Sequence, residues 1–347
     1  MYQYVFDQEL VRIAIVLGIV TSMLFYNRYG TTTGGAIVPG YLALFVPNPL
    51  HILTTFLMAF LTYVSVQKVL RPRLMLWGRR LFEAEILVTL LLQTIFYGVL
   101  FLLVPQDPTF TMLYAVGFVL PGVIAHDMGR QGVRTTLTAA TVCLLIVFGL
   151  VTLIGAFRDL FGFSHALINT TSIQPTTYTY PPNWLLGGVI ISVLSSIVFY
   201  HRGLFQRVLY RDALRTGGFV SAAYLALFVY RPLNLLFVVV CSALTYIIVT
   251  RFFMKHAILF GRAKLSAMFL TGMLVTWSAE LLIISSGWNF VPWQGFNAIT
   301  PAIVALLAND AQREGPARTM VGVGAGTLVV FGIMTVVQEG YRLLGAS

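Results

Sequence analysis

Residues 33–46 read TGGAIVPGYLALFV, and much of this stretch occurs a second time further along the chain. The opening TGG recurs at residues 216–218, and YLALFV of residues 41–46 recurs unchanged at 224–229. Further matches keep the same spacing of 183 positions (Tyr41 to Tyr224): LTY at 61–63 with 244–246, and Gly78-Arg79 with Gly261-Arg262. Collinear matches at one spacing indicate a tandem duplication.

The composition is typical of a membrane protein. Hydrophobic residues make up 58% of the chain and charged residues only 10%, with a mean hydropathy of +0.85. Soluble domains carry roughly 25% charged residues, so a water-soluble globular protein is excluded. The long apolar runs predict helices that cross the lipid bilayer. The net charge of +10 is interpreted as cationic loops that fix membrane orientation, and no nucleic-acid partner is expected.

The duplication predicts an all-α, polytopic membrane protein with two parallel tandem repeats of about six hydrophobic segments each. The first membrane repeat is assigned to residues 1–157, a polar connector to 158–183 and the second membrane repeat to 184–347. If every segment crosses, most of the 22 Lys and Arg residues lie on one side. By the positive-inside rule that side is cytoplasmic, which places both termini outside a bacterial cytoplasmic (inner) membrane.

Some apolar segments are too short to cross a bilayer as one straight helix. Residues 34–46 would form a helix of about 20 Å, against about 30 Å of hydrocarbon. A Pro-Gly pair in the middle of this segment is expected to kink or break it. Such segments are predicted to be buried among other helices. The broken-helix positions are Gly34, Gly35, Pro39, Gly40, Pro121, Gly122, Gly217, Gly218 and Pro301.

Ionisable side chains inside apolar segments are costly, so each one is a candidate functional residue. Glu83 and Glu85 lie at the start of one predicted span, and Glu280 lies within another. Glu83 has a simpler interpretation as the partner of Arg79 or Arg80, one helical turn away. Glu280 has no partner nearby in the sequence, which makes it the more distinctive candidate.

A polar turn follows the second short segment of each repeat. AHDMGRQG at 125–132 and ANDAQREG at 308–315 share Asp, Arg and Gly in register. Two interpretations of Asp127 and Asp310 stay open at this point. The turns either cap helices and do nothing more, or together frame a polar pathway at a pseudo-twofold axis.

The sequence contains no motif of an enzyme active site. It lacks a phosphate-binding loop, a His-Glu-x-x-His zinc motif and a Cys/His cluster with ligand spacing. The five His residues are scattered singly and are interpreted as loop or interface residues. We therefore expect no metal site, no cofactor and no bond chemistry from this chain alone.

Several motifs of the first repeat follow one another in a characteristic order. They are GAIVPGYL at 35–42, LTYV at 61–64, LWGRR at 76–80, PGVIA at 121–125 and QG at 131–132. This series resembles the membrane subunit of poly-γ-glutamate synthase, the PgsC/CapC capsule-biosynthesis family. The second repeat resembles it more loosely, with Ala222-Ala223 in place of Pro39-Gly40. The chain is therefore similar to a tandem-duplicated version of that subunit.

The resemblance implies a non-catalytic subunit of an ATP-dependent amide ligase complex. It implies three partners besides the lipid bilayer: a cytoplasmic Mur-ligase-like ATP-dependent ligase, a small membrane-anchored subunit and an acidic polymer. ATP and Mg²⁺ are expected in the ligase and not in this chain. Family members are typically single-repeat proteins, so a fused double also suggests that the usual subunit works as a homo-oligomer.

The basic residues fit such a role, because guanidinium groups bind carboxylates in a bidentate manner. We expect the chain to dock the ligase and to guide the polyanion across the membrane. A stand-alone secondary transporter or channel for a small anionic substrate is the alternative, since repeats and broken helices are typical of transporters too. A purely structural anchor for a ligase is a third hypothesis. The candidate polyanion- or partner-binding residues are Arg79, Arg80, Arg130, Arg134, Arg262, Lys264 and Arg313.

Overall fold

The chain folds into helices. The computed structural model describes residues 8–103, 117–160, 178–181, 184–201, 214–288 and 299–343, and every regular element in these ranges is a helix. The all-α class predicted from the sequence is confirmed. The chain forms two compact units, Met1–Ala166 and Leu167–Ser347.

The first unit combines long helices with two shorter ones of the predicted kind. A π-helical segment, Val64–Leu70, continues α3 into α4 without a break. The described helices are α1 (Gln8–Tyr29), α2 (Val38–Ala43), α3 (Pro49–Tyr63), α4 (Arg71–Leu74), α5 (Gly78–Leu103), α6 (Leu120–Gln131) and α7 (Val133–Leu160).

The second unit repeats this order of helices, including a π-helical segment at Ile248–Phe253. Its described helices are α8 (Leu185–His201), α9 (Ser221–Leu227), α10 (Pro232–Ile247), α11 (Met254–His256), α12 (Gly261–Ser285), α13 (Ile299–Glu314) and α14 (Pro316–Leu343).

Seven helical stretches among the described residues are long and apolar enough to cross a membrane. An eighth apolar helix, Leu185–Tyr200, is shorter. The prediction of a polytopic membrane protein is therefore confirmed. The seven stretches are Leu10–Tyr29, Pro49–Leu74, Gly78–Leu100, Val133–Arg158, Pro232–His256, Gly261–Ser285 and Pro316–Leu343.

The short helices begin at their prolines. Pro39 lies in the first turn of α2, Pro121 in the first turn of α6, and Pro301 is the third residue of α13. Proline is tolerated there because the first N–H groups of a helix have no partner within the helix. The sequence analysis put the break in the middle of residues 34–46. The structure instead puts it at the start of α2, and the residues just before this helix are not helical.

A glycine pair leads into each of the two short buried helices, α2 and α9. Gly34 and Gly35 have φ angles of 82° and 125°, and Gly217 and Gly218 have φ angles of 71° and 96°. Residues with a Cβ rarely adopt these angles. The TGG motif therefore recurs in both repeats where the backbone has to turn into α2 or α9.

Helix α2 packs against the middle of α1. A Cβ placed on Gly18 would collide with the Gly40 nitrogen, and a Cβ placed on Gly40 would lie 2.7 Å from the Ala14 carbonyl oxygen. Every residue of α2 is buried. This short helix thus lies inside the first unit, away from lipid, as predicted.

The residues between α1 and α3 pass from one end of the first unit to the other. We call one end the hinge end and define it by Thr32, Gln67, Glu85 and Gln131. Thr32 bonds to Gln131 at the end of α6, and Gln67 near the end of the α3–α4 stretch bonds to Glu85 near the start of α5. Both α1 and the α3–α4 stretch finish at this end, so the chain must return through α2 to the opposite end before α3 begins.

The last residues of the predicted connector pack onto the second unit. The Thr179 N–H donates to the Leu227 carbonyl at 3.0 Å, and the Tyr180 hydroxyl donates to the Ala223 carbonyl at 2.8 Å. Burial raises the pKa of the Tyr180 phenol. Residues 161–177 and 182–183 of the connector lie outside the described residues. Residues 178–181 are structurally part of the second unit.

Candidate functional site

A buried carboxylate occupies the hinge end of the first unit. Glu85, in the second turn of α5, has a fully buried side chain. Its Oε1 accepts a hydrogen bond from Gln67 Nε2 at 2.7 Å, and its Oε2 lies 2.6 Å from His126 Nδ1. Gln67 belongs to the π-helical segment and His126 to α6. One carboxylate therefore ties three elements together.

This contact extends towards the basic loop between α4 and α5. Arg71 Nη1 donates to Gln67 Oε1 at 2.8 Å, and the Arg71 guanidinium lies 4.5 Å from the centroid of the Trp77 ring. At the other end, the His126 side chain is 26% exposed. The result is a polar chain, Arg71–Gln67–Glu85–His126, that runs from a cationic loop to α6.

Glu83 makes the local contact that the sequence suggested. Arg79 Nε donates to Glu83 Oε1 at 2.7 Å, with the Glu83 side chain 4% exposed and the Arg79 side chain 23% exposed. An i,i+4 pair with the carboxylate buried satisfies its charge within one helix. Of the two adjacent acids, Glu83 thus has a partner on its own helix, whereas Glu85 binds other elements.

The polar turn after α6 is fastened by an amide. Gln131 Oε1 accepts the Thr32 N–H at 2.8 Å, and Gln131 Nε2 donates to the Thr32 carbonyl and to Thr136. Asp127 is buried, and its Oδ1 lies 4.0 Å from Arg130 Nη1. Gln131 therefore fixes the turn to the residues that lead into α2.

The corresponding turn of the second unit is fastened by charges. The Arg215 guanidinium contacts the Glu314 carboxylate, and Arg215 Nη1 lies 3.8 Å from Asp310 Oδ1. Lys264 Nζ donates to Gln312 Oε1 at 2.6 Å. Cations and carboxylates alternate here at the end of α13, so the cluster is partly neutralised from within.

The two turns hold the same positions with different chemistry. At the repeat spacing, Thr32 and Gln131 correspond to Arg215 and Glu314. A side-chain amide bonded to backbone in the first unit is thus replaced by an ion pair in the second. Both contacts join the end of α6 or α13, the late helix of its unit, to the residues that lead into α2 or α9.

The carboxylate–imidazole contact has no counterpart in the second repeat. At the repeat spacing, Glu85, His126 and Gln67 correspond to the residues Met268, Asn309 and Thr250. None of these three can reproduce a carboxylate bonded to an imidazole. At these positions the two units therefore differ in the groups that can bind protons.

The structure brings the predicted basic residues together within each unit. In the first unit they lie at the hinge end: Arg79 and Arg80 begin α5, Arg130 ends α6 and Arg134 begins α7. In the second unit Arg262 and Lys264 begin α12 and Arg313 lies near the end of α13, joined by the contact between Lys264 and Gln312. Four of these residues are exposed: Arg80, Arg130, Arg134 and Arg313.

Glu280 lies apart from these residues. It is buried in the last third of α12, whereas Lys264 is in the first turn of the same helix. Sixteen residues of helix separate the two by about 24 Å. The prediction that Glu280 is functional stays a prediction, and the structure does not bring Glu280 close to Lys264 and the polar turn at the end of α13.

The predicted glycines fit tightly against neighbouring helices. A Cβ on Gly34 would lie 2.9 Å from an Ile124 side-chain carbon of α6, and a Cβ on Gly122 would lie 2.9 Å from Thr89 Oγ1 of α5. In the second unit, Gly217 lies against the side chain of Leu307 on α13. These positions allow the lead-in residues and the late helix to approach each other closely in both units.

Sequence reasoning missed four residues of these contacts: Gln67, His126, Gln131 and Arg215. The sequence analysis interprets His126 as a loop or interface residue because the histidines are scattered singly, and its acidic partner lies 41 positions away. The repeat comparison contains a signal, since Gln67 and Glu85 correspond to residues of different chemistry in the second repeat. Among the described residues, no group of three or more His, Cys, Asp or Glu side chains could hold a metal ion.

Comparisons with known proteins give one result. The model of the family described as "Capsule biosynthesis CapC" matches residues 17–137 and again residues 203–320. "PGA biosynthesis protein CapC" of Bacillus subtilis (strain 168) is 34% identical over 145 residues, 40% of this chain and 95% of that protein. "Capsule biosynthesis protein CapC" of Bacillus anthracis is 35% identical over 125 residues, 36% of this chain and 82% of that protein. No solved structure matches.

Proposed function

The chain belongs to the capsule biosynthesis CapC family, and we propose that it is the integral membrane subunit of a complex that makes and exports poly-γ-glutamate or a related acidic, amide-linked polymer. In this proposal the chain docks a cytoplasmic ATP-dependent amide ligase and guides the polyanion across the membrane. ATP and Mg²⁺ act in the ligase, and this chain performs no catalysis alone. A small membrane-anchored subunit completes the complex.

One observation carries the proposal: each unit gathers its predicted basic residues beside a polar turn at the end of its late helix. Among them, Arg80, Arg130, Arg134 and Arg313 are exposed. Arginine forks bind carboxylates in a bidentate manner, so exposed arginines suit a chain of repeated carboxylates. A polymer that bears one carboxylate per residue could pass from one arginine to the next while each contact stays weak.

The proposal also gives the protein an orientation. The basic ends of both units face the cytoplasm, where the ligase supplies the polymer, and both termini lie outside a bacterial cytoplasmic membrane. This arrangement follows the positive-inside rule. It requires the two units to be inserted in parallel.

Substitution of Arg130 and Arg313 by Gln tests the polymer contact. These arginines correspond in the two repeats, and both are exposed near the end of α6 or α13. Loss of one charge-assisted contact per unit should lower surface polymer by at least about tenfold, at unchanged protein level. Arg342→Gln is the control, since it removes a 79% exposed cation from the end of α14 that is far from the polar turn. Unchanged polymer in the double variant would contradict the proposal.

Purification of the native protein in a gentle detergent tests the partners. The proposal expects an ATP-dependent amide ligase to co-purify and to be lost with the Arg130→Gln, Arg313→Gln variant if the basic residues form the dock. A chain that purifies alone and takes up a small anion when reconstituted into liposomes would instead favour the stand-alone transporter.

A further inference from the structure

The contact between Glu85 and His126 has a geometry with chemical consequences. Glu85 Oε2 lies 2.6 Å from His126 Nδ1, and the other carboxylate oxygen is held by Gln67 at 2.7 Å. The carboxylate is fully buried, whereas the imidazole is 26% exposed. The edge of the Phe82 ring packs against the imidazole, with the ring centroids 5.0 Å apart.

A carboxylate at one ring nitrogen decides which nitrogen carries the proton in neutral histidine. Because ionised Glu85 can only accept, His126 Nδ1 must donate to it, and the bare nitrogen of the neutral ring is Nε2. No hydrogen bond to this Nε2 comes from the described residues. The pair thus presents one proton-accepting atom on a side chain that water can reach.

Several charged groups surround this pair. Besides Glu85, charged groups lie on every element around α6 at this end of the unit. They are Lys68 and Arg71 beside the π-helical segment, Arg79, Arg80 and Glu83 on α5, Asp127 and Arg130 on α6, and Arg134 on α7. Both acids in this list lie near arginines: Glu83 Oε1 is 2.7 Å from Arg79 Nε, and Asp127 Oδ1 is 4.0 Å from Arg130 Nη1.

A buried ionised carboxylate next to a neutral imidazole is costly, and the cost falls when the imidazole takes up a proton. Protonation at Nε2 turns a negatively charged pair into a neutral ion pair without moving Glu85. The proton comes from water and returns to water, so no other reactant is needed. Gln67 keeps the second carboxylate oxygen bonded in both states.

We infer that Glu85 and His126 form a proton-exchange site, in which Glu85 holds Nδ1 and the opposite ring nitrogen, Nε2, takes up and releases a proton. The second unit carries Met268 and Asn309 at these positions, so the site exists in one unit of the fused chain and not in the other. The first unit therefore carries a proton-binding pair at positions where the second unit has none. This inference goes beyond the proposed function and does not depend on the polymer.

Nitrogen NMR on the intact, detergent-solubilised chain tests the site. The five histidines are labelled with ¹⁵N, and the variant His126→Asn identifies the signals of His126 by their loss. Asn is the residue that the second repeat carries at this position. We expect neutral His126 to bear its hydrogen on Nδ1, and Nε2 to be the nitrogen that gains a proton on acidification.

The variant Glu85→Met, which again copies the second repeat, should release His126 from this tautomer. His256, an exposed histidine bonded to a backbone carbonyl of its own helix, is the internal control and should not change. Neutral His126 with its hydrogen on Nε2, or a ring that gains no proton on acidification, would overturn the inference. If Glu85→Met does not accumulate, the tautomer of the unaltered chain still decides. Because no ligase or polymer is present, the result is independent of the proposed function.

Discussion

Two glycines in the first unit allow α2 to lie directly on α1. Gly18 and Gly40 approach so closely that neither has room for a side chain. Such backbone contacts between small residues are typical of helices packed in a membrane, where apolar side chains gain little by leaving lipid. The second repeat replaces Pro39-Gly40 with Ala222-Ala223, both fully buried. The close approach is therefore a property of the first unit's sequence.

Gly40→Ala should lower the thermal unfolding midpoint of the detergent-solubilised protein, because the new methyl group would lie 2.7 Å from the Ala14 carbonyl oxygen. We expect a destabilisation of about 1–3 kcal/mol, as for other overpacked interiors. Gly149→Ala is the matched control, since Gly149 lies in α7 with open space around it. There alanine should be neutral or should stabilise by up to about 1 kcal/mol. Equal effects of the two substitutions would contradict this account.

At the scale of elements, the late helix of each unit is joined to the residues before α2 or α9, a contact that we call the joint. Gln131 and the Thr32 backbone form it in the first unit, and Glu314 and Arg215 form it in the second. Removing one partner of a largely buried ion pair leaves a charge in a poor environment. Replacing both partners by the neutral pair of the other repeat should avoid the part of that cost that falls on Glu314, while Asp310 loses Arg215 in the single and the double variant alike.

The double variant Arg215→Thr, Glu314→Gln should therefore be more stable than the sum of its single variants predicts. We expect a coupling energy of about 1–3 kcal/mol in a double-mutant cycle, read from unfolding midpoints in detergent. The reciprocal change in the first unit, Thr32→Arg with Gln131→Glu, is the control for position. Strict additivity in the second unit would mean that the ion pair does not close the joint.

The elements were largely predictable from the sequence because their causes are local. Apolar length predicted the spans, the glycine pairs marked the turns into the short helices, and spacing along α5 suggested the bond between Arg79 and Glu83. The break at Pro39 was misplaced because an early helical position accepts proline. The partners of Glu85 could not be predicted, because Gln67 comes from a π-helical segment and His126 from a helix 41 positions away. Contacts of this kind depend on packing rather than on periodicity.

At the scale of the whole molecule, each unit resembles an independent protein. The Bacillus subtilis relative is matched over 95% of its length by 40% of this chain, and the family matches the chain twice. Each unit also closes its own joint with its own residues. The fusion therefore does not supply either unit with its internal contacts.

Cells that express residues 1–166 and 167–347 as two separate chains should accumulate both fragments in the membrane. The physical reason is that each compact unit keeps its own helix contacts when the connection is cut. Fragment levels on immunoblots and surface polymer measure the outcome. A cut inside α5, after residue 90, is the control and should abolish both. If neither fragment of the first pair accumulates, the units depend on the covalent link.

The π-helical segment Val64–Leu70 gives the polar chain of the first unit a mechanical property. Such a segment differs from an α-helix by one residue of winding, and π-helices are rare and short. If it rewound as α-helix, the residues that follow would slip by one position, about 100° of rotation and 1.5 Å of rise. Because Gln67 lies within the segment, its side chain would then be displaced from Glu85. The link between the cationic loop and the buried acid therefore depends on the π-helical winding of the backbone. In the second unit the equivalent Thr250 donates instead to the Tyr246 carbonyl, four residues earlier in the chain.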